Sequence, residues 1–266
     1  MTAPIIPGAE PASFPGGPHG ALVLHGFTGN PVSMRPVAEA LAEAGYAVVM
    51  PLLPGHGTTA EDMATTRWSD WVAAAETAYT SLAAEVDGKV VVVGLSMGGA
   101  LAADLTSRHP EVAGLVAINA VVTEPAGIRE ILDLMIGAGD EFMDAIGSDI
   151  ADPDADEKAY DKTPLHPLVS LMDAMGPLGE ALGTITCPTL VITSRQDHTV
   201  EPSNSDVLAA GLGGPVERLF LDNSFHVATL DHDKDELIRE TLAFAARVTG
   251  DGVSAPTPRS VYARDP

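Results

Sequence analysis

Four consecutive valines, Val90 to Val93, run directly into Gly94-Leu95-Ser96-Met97-Gly98-Gly99 and then into a helix-compatible stretch ending at Arg108. β-Branched residues without polar alternation suit a strand covered on both faces, which is the environment of a parallel sheet. The G-x-S-x-G pattern that follows predicts a sharp strand-to-helix turn with a serine at its tip. Glycines on either side of the serine are needed because close backbone leaves no room for a Cβ there. Behind the serine, the helix N-terminus presents unpaired N–H groups that favour negative charge.

The rest of the chain repeats the strand–helix alternation. Strands are expected at 21–24, 46–51, 112–119, 189–193 and 218–221, and helices at 33–44, 68–85, 97–108 and 233–248. Such alternation predicts an α/β architecture with a mostly parallel central sheet flanked by helices. It breaks between residues 121 and 186, a stretch read as helical and carrying Ile128, Leu132, Met135, Phe142, Met143, Leu168, Leu171 and Met172 between acidic loops. An insertion after a strand's C-terminal end would lie over the crevice where parallel sheets bind ligands, and is therefore expected to be a cap. The division expected is an N-terminal extension (1–19), a core (20–120 and 187–249), the cap insertion (121–186) and a mobile tail (250–266) rich in Pro, Ser and Thr.

Composition narrows the class of function. With 14 basic against 37 acidic residues the formal charge is −23, a surface that repels nucleic acid and anionic membrane. Cys187 is the single cysteine, so neither an internal disulfide nor a cysteine zinc site can form. The first basic residue is Arg35, and the N-terminus lacks a charged segment followed by an apolar one. No apolar run reaches membrane-spanning length. A cytoplasmic protein with no stable membrane anchor is expected, and a homodimer stays open.

A serine hydroxyl needs a base to become a nucleophile. Of the eight histidines, His226 follows the last expected strand and precedes the last helix, which brings it to the same sheet edge as Ser96. His25 is its main rival, His56 lies in a loop near the site, and His198 adjoins Asp197. The orienting acid belongs at a strand end between serine and histidine, and Asp197 satisfies the order Ser…Asp…His. Asp222 and Asp231 are too near His226 in the chain to approach it from another strand, and Asp140 lies in the insertion. An oxyanion would need two backbone donors, and Met97 N–H and Phe27 N–H are the candidates. No H-E-x-x-H pair or G-x-G-x-x-G after a strand is present, so no metal and no cofactor are expected.

His25-Gly-Phe-Thr-Gly29, Gly94-Leu-Ser-Met-Gly-Gly99, Gln196-Asp-His198 and Ser224-Phe-His-Val-Ala-Thr-Leu-Asp231 resemble the bacterial monoacylglycerol lipases and their carboxylesterase relatives, which have the α/β-hydrolase fold. The resemblance extends through Gly55-His-Gly-Thr58, Ile118-Asn-Ala120 and Ala159-Tyr-Asp-Lys-Thr-Pro164, over roughly residues 20 to 248. It implies cofactor-free hydrolysis of monoacylglycerols through an acyl-enzyme. Its triad falls on Ser96, Asp197 and His226, and its oxyanion donors on Phe27 and Met97. A cap glutamate that contacts the glycerol head group corresponds to Glu157, here crowded by neighbouring acids. The competing readings are a short-chain carboxylesterase or thioesterase with the same triad, a peptidase of the same fold, and a non-catalytic ligand sensor.

Overall fold

The valine run forms the middle of a seven-stranded sheet. The computed structural model describes residues 3–145 and 147–250, so the tail expected from 250 falls almost wholly outside the described residues. In chain order the elements are β1 (Ala12–Phe14), β2 (Gly20–Leu24), α1 (Arg35–Glu43), β3 (Ala47–Met50), α2 (Ala60–Ala64), α3 (Trp68–Glu85), β4 (Val90–Leu95), α4 (Met97–Arg108) and β5 (Gly114–Ile118). There follow α5 (Ile128–Ala138), β6 (Phe142–Asp144), β7 (Lys162–Pro164), α6 (Leu165–Ala181), β8 (Thr189–Ser194), α7 (Ser203–Gly211), β9 (Val216–Leu221) and α8 (Lys234–Thr249).

The sheet order is β1-β3-β2-β4-β5-β8-β9, with every pair parallel except β1–β3. Strand β1 departs from the expectation for residues 1–19. Rather than standing outside the core, Ala12, Ser13 and Phe14 pair with Met50, Val49 and Val48 and close one edge of the sheet.

Alternation along the strands builds two cores. Leu22, Leu24, Val90, Val92, Leu115 and Ala117 face α3, α4 and α6. Ala21, Val23, Val91, Val93, Val116 and Ile118 face α1 and α8. Strands β2, β4 and β5 are buried on both faces, which explains their unbroken apolar runs. The segment between β5 and β8 is not purely helical: α5 and α6 flank a two-stranded antiparallel hairpin of β6 and β7. Because β2, β4, β5, β8 and β9 run parallel, the loops that leave their C-terminal ends share one rim of the sheet.

Candidate active site

Ser96 sits between β4 and α4 with φ 57° and ψ −121°, a strained conformation for a residue with a side chain. Close packing on both sides imposes the turn. A Cβ on Gly94 would lie 2.1 Å from the Gly98 carbonyl oxygen, and one on Gly98 would lie 2.3 Å from that of Leu24. Among the described residues the other non-glycine positive φ values belong to Thr28, Asn119 and Lys158. Thr28 follows Phe27, Asn119 directly follows β5 and Lys158 follows Glu157, so this strain is concentrated around the serine.

Asp197 lies beyond β8 and His226 beyond β9. His226 Nδ1 is 2.7 Å from Asp197 Oδ2, with both side chains almost fully buried. The other carboxylate oxygen, Oδ1, accepts the backbone N–H groups of Thr199 and Val200 at 2.9 and 2.8 Å. The carboxylate is thus fixed from below while it orients the ring, and the ring's Nε2 is left for another partner. Ser96 and His226 line one cavity of about 530 Å³, together with Gly26, Phe27 and Glu157.

The loop after β2 lies against the serine. A Cβ on Gly26 would sit 3.3 Å from Ser96 Cβ, so only glycine lets this loop approach so closely without displacing its neighbour. The backbone N–H of Phe27 meets no acceptor among the described residues. Met97 is the first residue of α4, where an amide has no intrahelical acceptor.

His25 is not placed to act as a base. Its Nε2 accepts the Leu53 N–H at 3.1 Å and its Nδ1 donates to the Gly26 carbonyl at 3.0 Å, which fixes a neutral tautomer. His56 Nδ1 bonds to the Pro54 carbonyl at 3.0 Å. Burial pushes the His25 imidazole down to about 4 and that of His56 to about 3. Their rings meet edge to face at 5.0 Å, and Phe27 and Trp71 complete the cluster. These neutral histidines are the packing that supports the Phe27 loop. His198 is mostly exposed and pairs with Asp149.

Glu157 is buried, contrary to the solvated look of its acidic segment. Its carboxylate borders the same loop, since a Cβ on Gly29 would sit 3.3 Å from Oε2. Burial raises its carboxyl to about 7, against the opposing pull of nearby His226. Asn30 Nδ2 holds the carbonyls of Glu157 and Lys158, both at 3.0 Å.

Three further residues at the rim were given no role by the sequence. Asn119 Nδ2 donates to the His226 carbonyl at 2.7 Å and to Ser194 Oγ at 3.0 Å, while its Oδ1 accepts the Ser194 N–H at 2.7 Å. Asp231 accepts four backbone amides, those of Ala151, Asp152, Phe225 and His232. Asp149 reaches the amides of His198 and His226. A polar residue directly after an apolar strand was a signal for Asn119, and the Ser224–Asp231 motif one for Asp231; Asp149 carried none. Among the described residues no three His, Cys, Asp or Glu side chains are grouped to hold a metal ion, and no helix is long and apolar enough to cross a membrane.

The model of the alpha/beta hydrolase family matches residues 21–240. The chain belongs to the α/β-hydrolase family. This α/β hydrolase is 44% identical over 250 residues to a thermostable monoacylglycerol lipase of Bacillus sp. (strain H-257), covering 93% of this chain and 98% of the relative. It is 26% identical to a carboxylesterase of Bacillus subtilis (strain 168), covering 90% of this chain and 97% of the relative. A solved structure from the metagenome-derived lipolytic enzymes LipS and LipT superposes with a TM-score of 0.88 at 40% identity, over 92% of this chain and 100% of the other. The hydrolase thus sits among carboxylic ester hydrolases, and its fold class is the one the alternation of elements implied.

Proposed function

We propose that this hydrolase is a serine esterase that cleaves monoacylglycerols to fatty acid and glycerol through an acyl-enzyme on Ser96. The observation that carries the reading is one cavity lined by Ser96, by the Asp197-bonded His226 and by the apolar side chains of Met143, Leu168, Leu171 and Met172. Glu157 also lines it, beside the Phe27 loop. The 44% identity to a monoacylglycerol lipase supports the same reading.

Ser96 Oγ attacks the ester carbonyl while His226 Nε2 takes its proton. Asp197 stabilises the imidazolium that forms. The carbonyl oxygen becomes an oxyanion held by the N–H groups of Phe27 and Met97. His226 returns the proton to the glycerol oxygen, which leaves. A water then gives its proton to His226, attacks the acyl carbon and releases the fatty acid, restoring Ser96. The insertion acts as a cap whose aliphatic and methionine side chains house the acyl chain. Glu157 binds a glycerol hydroxyl: as an acid it donates a hydrogen bond, and as a carboxylate it accepts one. No metal or cofactor enters these steps.

A panel of esters differing in chain length and head group tests the assignment. Preference for medium- or long-chain monoacylglycerols over di- and triacylglycerols supports it. Highest kcat/KM on simple acetyl or butyryl esters would favour a short-chain carboxylesterase, the activity named for the Bacillus subtilis relative. The rate should fall in acid, because a protonated imidazole cannot accept the Ser96 proton; a rate that does not fall contradicts the mechanism.

A further inference from the structure

The ladder between β8 and β9 ends at the pair Ser194–Leu221. Asp197 lies three residues beyond one strand and His226 five beyond the other, so the sheet alone does not fix the two loops against each other. One side chain from the insertion bridges them. Asp149 Oδ2 accepts the His198 N–H at 2.9 Å and the His226 N–H at 3.2 Å. Its Oδ1 meets His198 Nδ1 at 2.9 Å, and its backbone carbonyl accepts the Val227 N–H at 3.0 Å. His198 is the residue directly after Asp197, and Val227 the one directly after His226.

The His226 peptide is therefore held from both sides, its N–H by Asp149 and its carbonyl by Asn119. Asn119 directly follows β5 of the sheet, whereas Asp149 belongs to the inserted segment. The Asp149 end of that segment is itself anchored, because Asp231 accepts the amides of Ala151 and Asp152 at 2.8 and 3.0 Å. Backbone N–H to carboxylate bonds are charge-assisted and among the stronger bonds available to a loop. With the carboxylate removed, three donors that converge on one side chain lose their acceptor together.

We propose that Asp149 is a positioning residue for the triad, so that the inserted segment sets catalytic geometry as well as substrate choice. The role rests on the reading of Ser96, Asp197 and His226 as a triad. It acts on His226 and on the loop of Asp197, and it touches neither substrate nor reacting atoms. A loss of placement there lowers the rate for every ester alike. A side chain that only shaped the acyl site would matter for long acyl chains alone.

The test compares wild type, D149A, D149N and S96A on p-nitrophenyl acetate and p-nitrophenyl decanoate, with thermal melts and the rate of fluorophosphonate labelling at Ser96. D149A should lower kcat about 10- to 100-fold on both esters, leave KM for the acetate within about twofold, and slow labelling in parallel, since a misplacement of about 1 Å costs on that order. D149N keeps an oxygen acceptor for both amides and should recover to within about fivefold of wild type. Asp149→Glu keeps the charge but shifts the oxygens by one methylene, and carries the D149A prediction if alanine proves too unstable to assay.

Normal kcat on the acetate with loss on the decanoate overturns the proposal, as does a lowered melting temperature with unchanged kcat and labelling. D149N as impaired as D149A also overturns it. Hydrolysis retained in S96A defeats the triad reading itself, an outcome separate from any result at Asp149.

Discussion

The rim of the sheet and the segment inserted between β5 and β8 are held in place by different means. At the rim, Ser96, Asp197 and His226 follow β4, β8 and β9, strands joined by continuous parallel ladders through β5. Their positions follow from register and from short loops. The inserted segment packs α6 against the core, but α5 leaves Leu134 75% and Ile131 51% exposed. Its irregular part is tied down by side chains that grip backbone: Asn30 on Glu157 and Lys158, Asp231 on Ala151 and Asp152, and Asn204 on Val122 and Thr123. The ladders place the reacting groups, while the insertion, apart from Asp149 and the Asp231 clasp that anchors it, shapes the acyl site. Reactivity should therefore reside at the rim and at Asp149, and selectivity in the rest of the insertion.

The largest effect should come from the rim. Ser96→Ala should lower kcat by about 10⁶-fold and Asp197→Asn by about 10⁴-fold, equally for acetyl and long-chain esters. Steady-state rates on the two substrates check this, and unequal losses would blur the division. Next comes the insertion's wall. Leu171→Trp fills part of the cavity and should lower kcat/KM on a decanoyl ester at least about tenfold while sparing the acetyl ester, since each methylene excluded from an apolar pocket costs about 10-fold or more.

The two regions also differ in what was legible in the sequence. Strands β2 to β5, β8 and β9 announce themselves through apolar runs, and α3 and α4 through their boundaries. The chain order of Ser96, Asp197 and His226 followed from where those strands end. Strand β1 was not legible, because Ala12, Ser13 and Phe14 sit between Pro11 and Pro15 and show no usable period; only pairing with β3 makes them a strand. The hairpin of β6 and β7 is equally short, and α7 has few apolar positions to mark its face. Within the insertion the acids Asp149, Asp152, Asp154, Asp156 and Glu157 look alike in sequence. Their environments separate them: Glu157 is buried, Asp149 binds two loops, and Asp154 is exposed.

Opposite pH responses sharpen the contrast. The His25–His56 pair at the rim binds fewer protons when folded, so its contribution to stability is lost as pH falls from 6.5 through about 4 for His25 and about 3 for His56. Glu157 binds more protons when folded, so its contribution is present below 4.5 and lost as pH rises through about 7. Glu157→Gln should abolish that second loss. Denaturation midpoints at pH 5 and pH 8 should show wild type falling relative to the variant, and parallel behaviour would mean that Glu157 is ionised and solvated when folded. The smallest effect is expected on α5: Leu134→Ser should change stability by no more than about 0.5 kcal/mol, because the side chain is exposed. A chemical melt measures it, and a larger loss would mean that this face is packed.

The most direct measurement is the mass and peptide map of the protein after treatment with a fluorophosphonate, run beside Asp197→Asn. One adduct, on the peptide containing Ser96, formed rapidly in wild type and far more slowly in the variant, is the expected outcome. Ester hydrolysis that persists with Ser96 unlabelled, or an adduct on another residue, would contradict the mechanism.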